Sequence, residues 1–152
     1  MPDGHPSAVP DWLDPTHPSN VMTIGLTAAP VSVGVARSQV KAICLRYGFG
    51  ELCDTATLLV SELMTNAIVH GAGEVTLSVA CTDRDLSVGV SDESPSSPSV
   101  DLDPPTDRTG GRGLFLVERL SSSWSYIVYP GGKTVWFCLA ATSERSSAAA
   151  GQ

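Results

Sequence analysis

Four short segments of alternating polarity, set in two adjacent pairs, restrict the fold of this chain more than any other feature. EVTLSVAC (Glu74 to Cys81) and LSVGVSD (Leu86 to Asp92) flank the hairpin-like turn TDRD, and WSYIVYP and KTVWFCLA follow one another near the C-terminal end. Alternation of this kind predicts strands with one apolar face each. VMTIGLTAA, from Val21, reads as a first strand. Three helices are available to cover the sheet. One opens at Pro30, runs to about Arg46 and closes near Gly48. A second is capped by Asp54 or Thr55 and stops at Gly71 or Gly73, where positive φ is easily accommodated. The third begins at the glycine cluster of GGRGLFLVERLSS, from Gly110, with Leu114, Leu116, Val117 and Leu120 on its apolar side. The order β-α-α-β-β-loop-α-β-β predicts an α+β fold: a two-layer sandwich whose mixed, mostly antiparallel sheet is covered on one face by helices.

A chain of 152 residues fits one domain with a sizeable core. Residues 1–20, rich in Pro, Asp, Ser and Gly, are expected to form a loose arm, 21–140 the domain, and 141–152 a loose tail. From Glu93 to Thr109 the sequence turns to Ser, Pro and Asp, which predicts a lid at about 93–110 because structureless loops of this length are usually functional. The sequence has no unbroken apolar run of about 18 residues and no charged-then-apolar leader at Met1, so a soluble, cytoplasmic protein is expected. Cys44, Cys53, Cys81 and Cys138 lack CxxC spacing and sit in apolar segments, which suits buried free thiols. A net charge of -7 with nine Lys and Arg lacks the basic footprint for nucleic acid, so no direct nucleic-acid binding is expected.

The stretch LVSELMTNAIVHGAG, Leu59 to Gly73, carries Glu62, Asn66 and His70 four residues apart on an otherwise apolar helix. Leu59, Leu63, Ala67 and Ile68 build the apolar side, and the three polar residues form one stripe. An amide oxygen and a carboxylate one turn apart suit Mg2+ with its waters and phosphate oxygens, and the carboxylate is also placed to take a proton from a nucleophile. Taken alone, the commoner reading of such a stripe is a helix edge facing solvent.

Gly110 to Leu114, GGRGL, puts glycines at a helix start after a long loop, an arrangement in which free N–H groups and the helix dipole favour phosphate. Arg108 and Arg112 add positive charge, though a plain cap with solvated arginines fits the same residues. GGKT, Gly131 to Thr134, resembles the end of a Walker A loop but lacks its first glycine and precedes a strand instead of a helix. Thr134 is therefore a strand residue, either facing a pocket or simply a good β-former. Asp92 ends its strand, where it is either an acceptor for an exocyclic amine or a turn-starting aspartate.

Together and in order, Glu-x-x-x-Asn on a helix, an aspartate at a strand end, a lid, a Gly-x-Gly helix start and a late threonine on a strand resemble the GHKL (histidine kinase-like) ATPase fold. The likeness runs from about Val21 to Leu139. ELMTNAIVH, GGRGLFLV and GGKTVWF are most similar to the stand-alone anti-sigma factor serine/threonine kinases of the actinobacterial type. The resemblance implies ATP and Mg2+ as cofactors, Glu62 as catalytic base, Asn66 as Mg2+ ligand and Asp92 as acceptor for the adenine amine. It further implies Gly111 and Gly113 as phosphate-binding glycines next to Leu114, Arg108 reaching the γ-phosphate with Arg112 nearby, His70 near the phosphates and Thr134 supporting the adenine pocket. One departure stands out: where the family carries Asp-x-Gly-x-Gly, this chain has DESPS, Asp92 to Ser96. Loss of both glycines, with Pro95 added, stiffens the first lid hinge and is expected to weaken nucleotide affinity.

The function implied is a Mg-ATP-dependent anti-sigma factor and protein serine kinase. It would sequester a sigma factor and phosphorylate a STAS-type anti-anti-sigma partner, with no membrane partner and homodimerisation implied by the resemblance alone. The alternative is a nucleotide-sensing or purely protein-binding regulatory module with weak or no ATP turnover.

Overall fold

A computed structural model describes residues 10–98 and 113–141, and statements of absence below concern those residues. Five strands form one sheet: β1 (Asn20–Leu26), β2 (Val75–Cys81), β3 (Asp85–Asp92), β4 (Ser123–Tyr129) and β5 (Gly132–Ala140), in the order β1-β2-β3-β5-β4. Every pairing is antiparallel, so the sheet is more uniform than the mixed arrangement expected. The β2–β3 hairpin closes on TDRD, where the Thr82 N–H donates to the Asp85 carbonyl at 2.9 Å and the Thr82 hydroxyl accepts from the Arg84 and Asp85 N–H groups.

The helices are α1 (Val31–Arg46), α2 (Cys53–His70) and α3 (Gly113–Leu120). α1 starts after Pro30, as its fixed φ favours, and closes at Gly48, whose φ is 83°. α2 differs from expectation at its start. A 3-10 turn, Gly50–Leu52, feeds directly into it, no side chain caps it, and Asp54 and Thr55 lie inside its first turn. The carboxylate of Asp54 there complements the positive end of the helix dipole. At the other end Gly71 is the C-cap with φ -95°, and the positive φ falls instead on Gly73, at 70°.

Strand alternation decides which face the helices cover. Val75, Leu77 and Val79 of β2, Leu86, Val88 and Val90 of β3 and Val135, Phe137 and Leu139 of β5 are buried against Val40, Ile43, Leu59, Leu63, Met64 and Val117 of the helices. Together with the flanking Phe49 this is the core of the domain. By length and composition the 21-residue segment Gly50–His70 is apolar enough to cross a membrane. In this fold it packs against α1, α3 and the sheet.

The arm expected to be loose as far as residue 20 is in fact placed from Pro10 onward. A 3-10 turn at Asp11–Leu13 lies on the sheet face turned away from the helices, where the absence of a side chain at Gly89 makes room for it: a Cβ there would come within 3.0 Å of Leu13 Cδ2 and 3.3 Å of Trp12 Cη2. Asn20 Nδ2 donates to the Trp12 carbonyl at 2.8 Å, and the Cys81 N–H to the Ser19 carbonyl at 2.8 Å. Partial burial of Trp12 and Leu13, invisible to a reading based on Pro and Asp content, supplies apolar contact for the segment. Between arm and sheet a groove of about 640 Å³ remains, lined by Trp12, His17, Ser87, Trp124, Trp136 and Cys138.

The cysteines are free thiols, as expected, with Cys44 fully buried and the others partly so. Burial pushes the Cys44 thiol up to about 12, with Cys53 and Cys81 nearby reinforcing the shift.

Candidate functional site

The last turn of α2 and the last residues of β3 are stitched together. The Glu93 N–H donates to the Ala72 carbonyl at 2.7 Å, directly after the helix ends. Gly71 lies so close to Asp92 that a Cβ at 71 would sit 2.5 Å from Asp92 Cγ and 2.6 Å from Oδ2. Gly132, opening β5, packs against the backbone of Asp92 and Glu93 in the same way, a Cβ there falling 3.1 Å from Glu93 Cα. Two residues without side chains therefore let three elements converge on one carboxylate.

Asp92 is buried, 5 % exposed, and its oxygens are engaged. Lys133, its cross-strand partner in the β3–β5 ladder and 2 % exposed, places Nζ 2.9 Å from Oδ2 and 3.1 Å from Oδ1. The Ser94 N–H donates to Oδ1 at 2.7 Å, an Asx turn at the start of DESPS. Every buried side-chain nitrogen and oxygen among the described residues has a partner. That is the condition under which a buried charge pair is tolerated.

Asn66 and, one turn further, Glu62 lie up α2 from this cluster, both half-buried, while His70 is exposed at the final helical position. At 1.5 Å rise per residue, Asn66 stands about 7 Å and Glu62 about 13 Å along the axis from Gly71. Leu59, Leu63 and Ala67 are buried as expected, and Ile68 is half-buried. Glu62 and Asn66 thus border the core, whereas His70 faces solvent. Gly113 opens α3, and Leu114 behind it is a core residue at 2 % exposure, which fixes the helix start against α2. Arg108, Gly111 and Arg112 lie outside the described residues.

Thr134 does not join this group. Its hydroxyl is 2.7 Å from that of Ser91 and 3.1 Å from that of Tyr129. These three residues share the sheet face opposite Asp92, because adjacent residues of β3 and of β5 point to opposite sides. The expectation that Thr134 supports a pocket with Asp92 is therefore corrected: the residue beside Asp92 on that face is Lys133. Sequence reasoning missed it, although a signal existed. Lys133 continues the apolar series Val135, Phe137, Leu139, just as Asp92 ends the series Leu86, Val88, Val90, so two neighbouring core stripes each terminate in one charge of opposite sign.

No group of three His, Cys, Asp or Glu able to hold a metal occurs among the described residues. A magnesium ion needs no such cage, since it usually binds through one or two protein oxygens together with phosphates and water. The donor set along α2 fits that chemistry. The base end fits an exocyclic amine through Asp92, but only with Lys133 moved.

A five-stranded antiparallel sheet backed on one face by helices, with a carboxylate-amide pair on α2, defines an α+β domain. The sequence profile of the histidine kinase-like ATPase domain matches residues 26–139, and the chain belongs to this family. A comparison with curated proteins finds no match.

Proposed function

We propose that this histidine kinase-like ATPase domain binds Mg-ATP and is a protein serine kinase that also holds a sigma factor, its phosphoacceptor being a serine on a STAS-type anti-anti-sigma partner. One observation carries the reading: α2, whose C-cap Gly71 abuts the buried carboxylate of Asp92, holds Glu62 and Asn66 one turn apart, in a chain that matches the ATPase family over residues 26–139. Bound Mg-ATP supplies the phosphoryl group and the charge neutralisation that its transfer requires. Glu62 accepts the proton of the serine hydroxyl as the new O–P bond forms and the bond to ADP breaks. Asn66 offers its amide oxygen to the metal. The N–H groups at the start of α3, with the positive end of the helix dipole, would hold the phosphates, and His70 at the end of α2 would lie near them.

Replacing Glu62 by Gln tests the assignment. Transfer of labelled phosphate to the partner is expected to vanish while calorimetric ATP binding persists; transfer at the wild-type rate refutes it. The ion pair on Asp92 favours a second reading, a regulatory module that binds its protein partners with little or no nucleotide turnover. A cognate complex that assembles without any label transfer selects that reading.

A further inference from the structure

The carboxylate best suited to recognise a base is already taken. An ionised carboxylate offers about four acceptor positions. Oδ1 of Asp92 receives both Lys133 Nζ and the Ser94 N–H, Oδ2 receives Lys133 Nζ, and Gly71 lies so near Oδ2 that a Cβ there would sit 2.6 Å from it. Both side chains of the pair are 3 % exposed. Of these neighbours only the lysine is held by a long flexible stem; the others are backbone.

We propose that Lys133 is the resident occupant of the base-recognising carboxylate, and that an adenine amine reaches Asp92 only after the ammonium group has swung away. The inference rests on the nucleotide reading of the site. Lys133 then acts as a positioning residue that lowers nucleotide affinity by keeping the competent arrangement rare, since apparent affinity falls in proportion to the fraction of molecules able to bind. The DESPS segment works in the same direction, because the N–H of its Ser94 anchors the carboxylate in the orientation that Lys133 grips.

The test uses the full chain and two readouts. In the first, Mg-ATP binding is measured by calorimetry for wild type, Lys133→Met and Lys133→Gln, with folding checked by cooperative thermal melting. Binding at least about tenfold tighter in a folded variant is expected. The same result with a wild type that gives no heat at millimolar ATP also supports the proposal, in the form of a site that Lys133 keeps shut. Wild-type binding with equal or weaker binding in the folded variants overturns the role of Lys133 and leaves the nucleotide reading standing. No binding by any of the three overturns both. In the second readout the wild type is acetylated with an amine reagent and its peptides are weighed. The chain has two lysines, and Lys41, exposed on α1, is the internal control. Lys133 is expected to be protected without nucleotide and to gain label at saturating Mg-ATP while Lys41 stays constant. Unchanged protection of Lys133 with ATP bound overturns the proposal even if both variants fail to fold.

Discussion

Gly71→Ala isolates the junction on which the site depends. The φ of Gly71, -95°, is open to any residue, so alanine introduces no backbone strain and its cost is steric. Its Cβ would meet Asp92 Cγ at 2.5 Å and Oδ2 at 2.6 Å, and would press on the Ala67 carbonyl of α2. Neither neighbour is the loose end of a flexible chain: one is helix backbone, the other a buried carboxylate gripped by Lys133. Overpacking costs roughly 1–3 kcal/mol, and the rigidity of both neighbours places this site near the upper end, at about 3 kcal/mol. For a chain of this size that is a fall in Tm of roughly 6–12 °C. Gly34→Ala is the control, because an added Cβ there meets nothing within 4 Å on an exposed side of α1. Removing the helix penalty of glycine is expected to raise stability by about 0.5–1 kcal/mol there. Thermal melting by circular dichroism of both variants reads the difference directly. A Gly71→Ala protein that melts within about 1 °C of wild type, below the whole span that overpacking gives, would refute the claim that α2, β3 and β5 converge on Asp92 without slack.

Further outcomes follow from the same geometry. Asp92→Asn leaves the Lys133 ammonium buried opposite a neutral amide and is expected to cost about 3–5 kcal/mol, seen as a lower urea midpoint at unchanged slope; combining it with Lys133→Met should recover most of the loss, and a double variant as weak as the single one would contradict the pairing. Trp12→Ala removes half-buried aromatic surface from the sheet's second face and should lower stability by roughly 1–2 kcal/mol, whereas an unchanged melt would mean that the arm contributes nothing to the fold. The Cys44 thiol gives the fold an alkaline limit. Its value is raised to about 12 from 9.0 by burial, so its contribution is complete below the unfolded value and is lost as pH rises from there through the folded value. Stability should therefore decline above about pH 9, and the decline should be shallower in Cys44→Ala; an identical alkaline slope in the variant would remove Cys44 as its source.

Strands and helices were readable in the sequence wherever a single face was buried. The alternation of Leu86, Val88 and Val90 and of Val135, Phe137 and Leu139 specifies both the strands and the side the helices cover, and the i, i+4 spacing of Leu59, Leu63 and Ala67 does the same for α2. The start of α2 was not legible, because a 3-10 turn relieves the helix of the need for a side-chain cap and leaves Asp54 free to sit within the first turn. The face of Thr134 follows from the register of β5 with β3, which no local pattern contains. The Lys133–Asp92 pair lay hidden for a related reason. Each residue looked like a strand-end charge, and only the pairing of strands 41 residues apart reveals that both charges point inward. The placing of Glu62 and Asn66 one turn apart on α2, by contrast, is legible from spacing alone, since a helix fixes its own neighbours.

The strand order β1-β2-β3-β5-β4 has a bearing on how this domain tolerates change in length. β3 and β5 pair at the sheet's centre, and their last rung, Asp92 with Lys133, closes a loop of 41 residues that includes α3 and β4. Loop closure grows only with the logarithm of length, so even doubling the stretch between β3 and α3 would cost no more than about 0.6 kcal/mol. Beyond Glu93 and Ser94, which tie the end of β3 to Ala72 and Asp92, a change in the length of that connection therefore costs the hydrophobic core little through loop closure.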